Sequence, residues 1–191
     1  MQVKTLLAIP FLSGLVAAMP AAESAKAAKT HKPFEVLALR SASDIHFASV
    51  SAAKGSLFLK LPKQGASCHR KSDGYATFRL TKDGELYLYS TDNPPQQVYA
   101  DRSGMGQGKV GYVTGAQPPP KNGELKGWEI DKTGNLSLDG ASLLACPNSI
   151  HDAWSIWVSS GVANPGGNKN CLGFSARTTK VKKPNSCLYT E

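Results

Sequence analysis

The chain has 191 residues, of which 41% are hydrophobic and 19% are charged, and its formal net charge is +8. This size and composition fit a single domain with a hydrophobic interior. No apolar stretch after the N-terminal one approaches the ~20 residues that a membrane span needs, which argues against a membrane-spanning protein.

The N-terminus has the features of a secretory signal. Lys4 supplies a positive charge, residues 5–18 are apolar, and small residues follow. We predict a signal peptide at 1–22, a flexible lysine-bearing lead at 23–33 and a single all-β domain at 34–191. The polar C-terminus lacks the hydrophobic tail of a lipid-anchor signal, so we expect a secreted protein with no membrane anchor.

Strand signals dominate the rest of the chain. Three segments share the pattern Gly-x-Leu-x-Leu, at residues 55–59, 84–88 and 134–138. Each follows another strand-like run across a polar turn, and these runs lie at residues 45–50, 76–80 and 128–130. Asp-Gly and Thr-Gly pairs between alternating runs are typical of hairpins, because glycine accepts the positive φ that tight turns need. The pattern therefore predicts three related hairpins.

Further strands are predicted at 112–114, 153–158 and 172–181, and capped helical segments are nearly absent after the signal. Short strands with regular turns predict an all-β fold, a single compact antiparallel β-sandwich or barrel. Three hairpins also suggest a β-trefoil as the second choice. The repeats start 29 and then 50 residues apart, so a trefoil needs a large insertion, for which residues 91–123 are the candidate.

Residues 101–121, DRSGMGQGKVGYVTGAQPPPK, carry five glycines and then three consecutive prolines. Both residue types lower helix stability, so no helix is expected there. The Gly-x-Gly-x-Gly at 104–108 is similar to a phosphate-binding loop, but that fingerprint needs a following helix, and a strand-like segment follows here. We expect no nucleotide and no other cofactor. The run is interpreted as the connection between the second and third hairpins, along a path that requires glycine.

Four cysteines, Cys68, Cys146, Cys171 and Cys187, predict two disulfides in a secreted chain. Three pairings are possible, and we favour Cys171–Cys187 with Cys68–Cys146. The alternative is a metal site that combines Cys68 and Cys146 with His69 and His151. No tight Cys-x-x-Cys pair is present, so we expect no metal.

Candidate catalytic groups form no recognisable constellation in the sequence. His151, Asp152 and Ser155 are the residue types of a nucleophilic triad, but neighbours on an extended chain point to opposite faces, and no Gly-x-Ser-x-Gly elbow is present. A glycosidase needs two carboxylates at a set separation. Nothing in the sequence selects two of the candidate glutamates, Glu35, Glu85, Glu124 and Glu129. We therefore expect no catalytic residues and a protein that is not an enzyme.

Aromatic residues give the best candidates for a binding surface. Alternation places Trp157 opposite Trp154, Ile156 and Val158, and it places Tyr87 and Tyr89 opposite their neighbouring leucines. If the aliphatic face is the core, Trp157, Tyr87 and Tyr89 are available to stack on sugars; the alternative is that loops cover them. Separately, the Asn-Leu-Ser at 135–137 predicts N-glycosylation at Asn135.

Several stretches together resemble the PhiA-like (phialide) family of secreted fungal cell-wall proteins. In this sequence they are ALRSASDIHF, ATFRL with ELYLYS, VYADRSGMGQGKVGYVTGAQP, GWEID, LLACPNS, AWSIWV, and CLGFSAR with the closing Cys187. The resemblance implies a secreted, wall-associated protein with a role in forming phialides and conidia, the asexual spores, and relatives that are allergens. It supplies no catalytic residues.

Cations are concentrated near the C-terminus, at Lys169, Arg177, Lys180, Lys182 and Lys183. For a secreted protein, we expect acidic or phosphorylated wall polysaccharides, or other wall proteins, as partners rather than nucleic acid. The alternative is that these cations form a solubilising surface with no specific partner.

Overall fold

The structure, a computed structural model, describes residues 31–191, so the predicted signal peptide and most of the predicted lead lie outside the described residues. Fourteen β-strands and two short 3₁₀ turns, Ile150–Asp152 and Pro165–Gly167, form its regular structure. The strands are β1 Phe34–Leu39, β2 Val50–Ala53, β3 Ser56–Leu59, β4 Ala66–Cys68, β5 Phe78–Leu80, β6 Leu86–Leu88, β7 Gln96–Asp101, β8 Lys109–Thr114, β9 Trp128–Ile130, β10 Asn135–Leu138, β11 Leu143–Cys146, β12 Trp154–Val158, β13 Leu172–Lys180 and β14 Cys187–Tyr189.

Nine strands form a closed antiparallel barrel in the order β1-β5-β6-β7-β8-β3-β12-β11-β13, and β13 pairs again with β1. The closing pair runs without a break from Phe34 opposite Lys180 to Leu39 opposite Ser175. The predicted all-β fold is confirmed, and the closed circuit selects the barrel over the sandwich, since closure removes the sheet edges.

The predicted hairpins occupy unequal positions in this barrel. The second, β5–β6, is part of the wall, whereas the third, β9–β10, joins it only through the pairing of β10 with β13. A trefoil requires three equivalent hairpins, so the arrangement does not fit that second choice. The remaining strands, β4 and β14, pair with each other in a separate two-stranded sheet.

The first hairpin differs from its prediction in one arm. Its strands are β2 and β3, so the first arm is Val50–Ala53 rather than 45–50. The chain before it is turned, because Ser43 Oγ donates to the Arg40 carbonyl and Arg40 N–H donates to His46 Nδ1. Phe47 consequently has a φ of +62° and is 64% exposed, which a strand assignment does not allow.

The segment at 91–123, interpreted as an insertion, contains a hairpin of the barrel wall. Strands β7 and β8 pair over six residues, from Gln96 opposite Thr114 to Asp101 opposite Lys109. The glycine-rich turn between them is followed by a strand and not by a helix, as expected. The interpretation of 101–121 as the connection between the second and third hairpins is wrong, because this segment contains the end of β7 and the whole of β8. Glycine is required at position 111, where a Cβ would meet the Tyr99 hydroxyl and the Gly55 carbonyl.

The barrel interior is filled by side chains. Large residues from around the wall meet there, among them Phe78, Leu86, Val98 and Ile156, all nearly fully buried. The void left between them measures about 10 Å³, which is at the limit for one water molecule. This void is too small for a ligand, and the larger concave sites described below lie on the outer surface.

The favoured disulfide pairing is wrong. The bonds are Cys68–Cys187 and Cys146–Cys171, with Cα–Cα distances of 4.0 and 4.2 Å. Cys68 lies directly opposite Cys187 in the β4–β14 sheet. Ala145 lies opposite Leu172, so the antiparallel register of β11 and β13 brings Cys146 beside Cys171. The register of the strands decides which cysteines are bonded. The prediction failed because closeness in sequence, on which it relied, does not indicate that register.

Replacing each pair with serine should destabilise the protein by different amounts. The closed loops span 119 and 25 residues, for which loop entropy gives about 5 and about 3.5 kcal/mol. In urea unfolding, the variant without Cys68–Cys187 should therefore have a lower free energy of unfolding than the variant without Cys146–Cys171. The reverse order would show that loop entropy does not dominate.

Gly108 should not tolerate a side chain. Its φ is +93°, and a Cβ there would overlap the Val158 carbonyl oxygen. Its N–H donates to Asp101 O at 2.7 Å, and its carbonyl accepts from Val158 N at 2.7 Å. We expect Gly108→Val to lower the free energy of unfolding by more than the ~1–3 kcal/mol typical of a strained backbone. Gly104→Val is the matched control, because a Cβ at Gly104 meets nothing within 4 Å; equal stability of the two variants would contradict the assignment.

Candidate functional site

Trp157 lines a groove on the outer surface of the barrel, with a volume of about 370 Å³. The groove, called the Trp157 groove below, lies over β3, β8 and β12. Ile156 and Val158 on either side point into the core, as alternation predicted, and Trp157 is half-buried on the outside. Its indole Nε1 donates to Ser155 Oγ at 3.0 Å, which fixes the orientation of the ring.

One side of the Trp157 ring is covered by the loop that contains Pro165–Gly167. A Cβ on Gly166 would lie only 2.6 Å from Trp157 Cη2, so the glycine backbone packs on the ring. Gly166 N–H is held by Gln107 Oε1 at 2.7 Å, which ties this loop to the glycine-rich turn. The tryptophan is thus partly covered by a loop and partly open to the groove.

The lining of the Trp157 groove combines apolar and polar groups. Phe58 and Ile150 add to its apolar surface, and Asn148, Ser149 and Asn168 contribute amide and hydroxyl groups. Two lysines also reach it, Lys54 and Lys109. An aromatic ring with hydrogen-bonding groups around it is suited to a polar, ring-shaped ligand such as a sugar.

Tyr87 and Tyr89 lie elsewhere. Leu86 and Leu88 are buried and Tyr87 faces outward, as predicted, but three strands, β7, β8 and β3, lie between β6 and β12 in the barrel. The Tyr87 ring lies under the Arg79 guanidinium at 5.5 Å, and its hydroxyl donates to Glu85 at 3.3 Å. Burial and the Glu85 carboxylate raise the pKa of the Tyr87 hydroxyl. The three candidate rings therefore do not form one surface.

A second concave site was not found by sequence reasoning. It is a cleft of about 410 Å³, called the basic cleft below, and it is lined by Glu35, Arg70, Lys71, Asp73, Tyr75 and Lys183 among others. These residues come from β1, the loop after β4 and the segment between β13 and β14. The only sequence signal was the C-terminal cluster of cations, and of these Lys183 lines the cleft whereas Arg177 donates to the Thr133 carbonyl at 2.5 Å.

Glu35 is the acidic group of the basic cleft whose ionisation is perturbed. Burial, and then the negative charge of Asp73, raise the pKa of the Glu35 carboxyl. The nearby Tyr189 hydroxyl, also buried, has its pKa raised to about 12. By contrast, hydrogen bonds from Arg102 lower the pKa of Glu124, in an ion-pair network that also includes Asp139. Glu124 and Glu35 therefore play different roles, one in a structural ion pair and one in a cleft.

The residues considered for a catalytic triad are not joined in the structure. His151 and Asp152 are exposed in the first 3₁₀ turn, each with a positive φ. Ser155 Oγ instead donates to the Cys146 carbonyl and accepts from Trp157. A different histidine pair exists, in which His69 Nε2 lies 2.5 Å from Asp92 Oδ2 with both side chains more than half exposed.

Asn135 starts β10 with its amide already hydrogen-bonded. Its Nδ2, the atom that carries a glycan, donates to Thr133 Oγ1 at 2.8 Å. Glycosylation leaves one amide hydrogen on that nitrogen, which is enough for this bond. Glycosylation of Asn135 stays a prediction.

Two absences apply to residues 31–191. Over this range, no three His, Cys, Asp or Glu side chains are grouped closely enough to hold a metal ion. Nor does this part of the chain contain a helix with the length and apolar character to cross a membrane.

These features define a small all-β protein, a filled barrel linked by two disulfides with its larger concave sites on the outer surface. The family model for PhiA-like secreted protein matches residues 34–190. Over the whole chain, the sequence is 51% identical to cell wall protein phiA of Aspergillus niger, covering 99% of that protein, and 49% identical to the protein of the same name from Aspergillus fumigatus, covering all of it. A relative so named from Arthroderma benhamiae is 45% identical over 75% of this chain and 80% of its own.

The chain belongs to the PhiA-like family, and it is a secreted protein of the cell wall. The resemblance stated from the sequence motifs is confirmed. No solved structure matches this fold closely enough to be counted as similar.

Glu35→Gln should stabilise the protein at neutral pH. A carboxyl whose pKa is raised on folding contributes stability below its unfolded pKa, near 4.3, and loses that contribution as the pH rises. The neutral amide avoids this loss, so the variant should have a higher Tm than the wild type at pH 7 and an equal Tm at pH 3.

Glu124→Gln is the matched control, and it should change the stability at pH 7 in the opposite direction. Arg102 lowers the pKa of Glu124, so its contribution is present at neutral pH and is lost as the pH falls. The variant should be less stable than the wild type at pH 7, with a smaller difference at pH 3. If both substitutions changed the stability at pH 7 in the same direction, the environments assigned to Glu35 and Glu124 would be contradicted.

Proposed function

We propose that the protein is a non-enzymatic component of the fungal wall that supports the development of phialides and conidia. Family membership and the wall location support this proposal. The filled barrel interior supports it as well, because it leaves the outer surface as the place for contacts. The protein then acts by attaching to wall material and not by turning it over.

The attachment that the geometry supports best is to wall polysaccharide, through the Trp157 groove. The observation that carries this is a half-buried indole held by Ser155, beside amide groups and lysines, in a groove of about 370 Å³. A sugar ring that packs on the open part of the indole buries apolar C–H groups, while its hydroxyls reach Asn148 and Asn168. Contact through other wall proteins is the alternative mode of attachment.

Trp157→Ala should weaken retention on a neutral wall polymer. Purified protein is passed over chitin, β-glucan and mannan, and the bound fraction is measured against polymer amount. On the polymer that retains the wild type, we expect a loss of about tenfold in affinity, equivalent to about 1.4 kcal/mol. Trp157→Phe should keep part of the affinity, and unchanged Tm values would show that the fold is intact.

Tyr87→Ala with Tyr89→Ala is the matched control, since it removes outward-facing rings from another part of the barrel. If the control variant lost retention on the polymer and Trp157→Ala kept it, the glycan site would lie at β6 and not in the Trp157 groove. Retention of the wild type on none of the three polymers would contradict polysaccharide binding.

The developmental role is tested in the fungus. A deletion strain should form fewer phialides and conidia, and the wild-type gene should restore them. Normal counts of both in the deletion strain would contradict the role.

A further inference from the structure

The walls of the basic cleft are held by several independent bonds. Arg70 Nη2 donates to the carbonyls of Lys183 and Pro184, at 3.0 and 2.9 Å. Asn185 makes two bonds to the Arg70 backbone, at 3.1 and 2.9 Å. The Cys68–Cys187 disulfide lies immediately beside these contacts. The loop after β4 and the segment before β14 are thus fixed to each other before any ligand arrives, which lowers the entropy lost on binding.

The charged groups of the basic cleft are not paired with one another. Lys71 and Lys183 are exposed, and among residues 31–191 neither has a carboxylate oxygen within 4.0 Å of its amine. Glu35 and Asp73 likewise form no ion pair with any described cation. Ammonium groups are hydrogen-bond donors and carboxylates are acceptors, so the cleft offers both to a ligand.

Tyr75 adds an exposed aromatic ring to the same cleft. Its side chain is among the few large hydrophobic groups on the surface, at 42% exposure. A local turn fixes the backbone at this position, because the Tyr75 N–H donates to Asp73 Oδ1 at 3.1 Å. A ring in this setting presents a flat apolar surface of the size of a pyranose, next to donors and acceptors.

We propose that the basic cleft binds a hexose unit that carries an anionic group, a phosphodiester or a uronic carboxylate, on a wall polysaccharide. The anionic group lies between Lys71 and Lys183, the sugar ring packs on Tyr75, and its hydroxyls donate to Glu35 and Asp73. With Arg70 counted, three cations oppose two carboxylates, so the cleft favours an anionic ligand even with both acids ionised.

This inference is independent of the Trp157 groove, which shares no lining residue with the basic cleft. A neutral polymer is proposed for the groove and an acidic one for the cleft. Because Lys54 and Lys109 also line the groove, the Tyr75 and Trp157 variants decide which site an anionic probe occupies. Their failures are therefore distinguishable in one set of variants.

The test uses purified protein lacking the signal peptide and three soluble probes: phosphomannan, polygalacturonate and unphosphorylated mannan. Affinity is measured by titration calorimetry at about 50 mM and about 300 mM salt, because ionic contacts weaken as the Debye length shortens. We expect the protein to bind at least one anionic probe, with an affinity that is lower at the higher salt concentration. If only phosphomannan binds, the ligand group is the phosphodiester. If only polygalacturonate binds, the ligand group is the carboxylate.

Lys71→Ala with Lys183→Ala should reduce that affinity by about tenfold or more. The control is Lys121→Ala with Lys132→Ala, which removes the same charge from exposed sites outside the cleft and should retain most of the affinity. Equal losses in the two double variants would overturn the site, since net charge alone would then explain binding. Binding of the wild type to neither anionic probe would overturn it as well.

Three single variants, at two positions, test the remaining parts of the cleft. Tyr75→Ala should weaken binding and Tyr75→Phe should restore it, because the ring is needed and its hydroxyl is not. Glu35→Gln keeps a hydrogen-bond acceptor and removes a negative charge, so it should strengthen binding of the anionic probe. Trp157→Ala should leave this binding unchanged; a loss there, with no effect of Tyr75→Ala, would place the anionic ligand in the other groove.

Discussion

The pairing of β1 with β13 is the constraint on which the structure depends. It joins the first and the last long strands of the described chain over the whole length of β1 and turns an open sheet into a closed barrel. A closed sheet leaves no row of unpaired backbone groups between these strands. The same pairing places Glu35 next to the chain that leaves β13, so the barrel closure also assembles one wall of the basic cleft.

Closure around a filled interior determines where function can reside. In wider barrels the centre holds a ligand, but here the side chains of the wall meet and leave almost no space. Specific contacts then depend on loops and on outward-facing side chains held by the rigid wall. Trp157 is such a side chain, and the glycine-rich turn supports it indirectly, since Gln107 in that turn holds the loop that packs on the indole.

Local patterns in the sequence predicted local structure well. Alternating leucines and turn glycines correctly predicted the β5–β6 and β9–β10 hairpins, because hairpin pairing depends on residues close in sequence. The alternation also correctly predicted that Tyr87 faces outward. Features that depend on register between distant strands were missed. The cysteine partners follow from β4 meeting β14 and from β11 meeting β13, and neither contact leaves a signal in spacing. The basic cleft was missed for the same reason. Glu35 reaches the chain after β13 through the β1–β13 pairing, and the loop that carries Tyr75 is joined to the segment before β14 by contacts between residues far apart in sequence.

The nesting of the two disulfides has a consequence for survival outside the cell. Cys146–Cys171 lies entirely within the loop closed by Cys68–Cys187. A single proteolytic cut anywhere between Cys68 and Cys187, including the exposed segment 115–118, leaves both fragments covalently joined. Nicked molecules therefore stay in one piece outside the cell. They separate into fragments only after reduction, so a gel run without reductant shows them as intact chains.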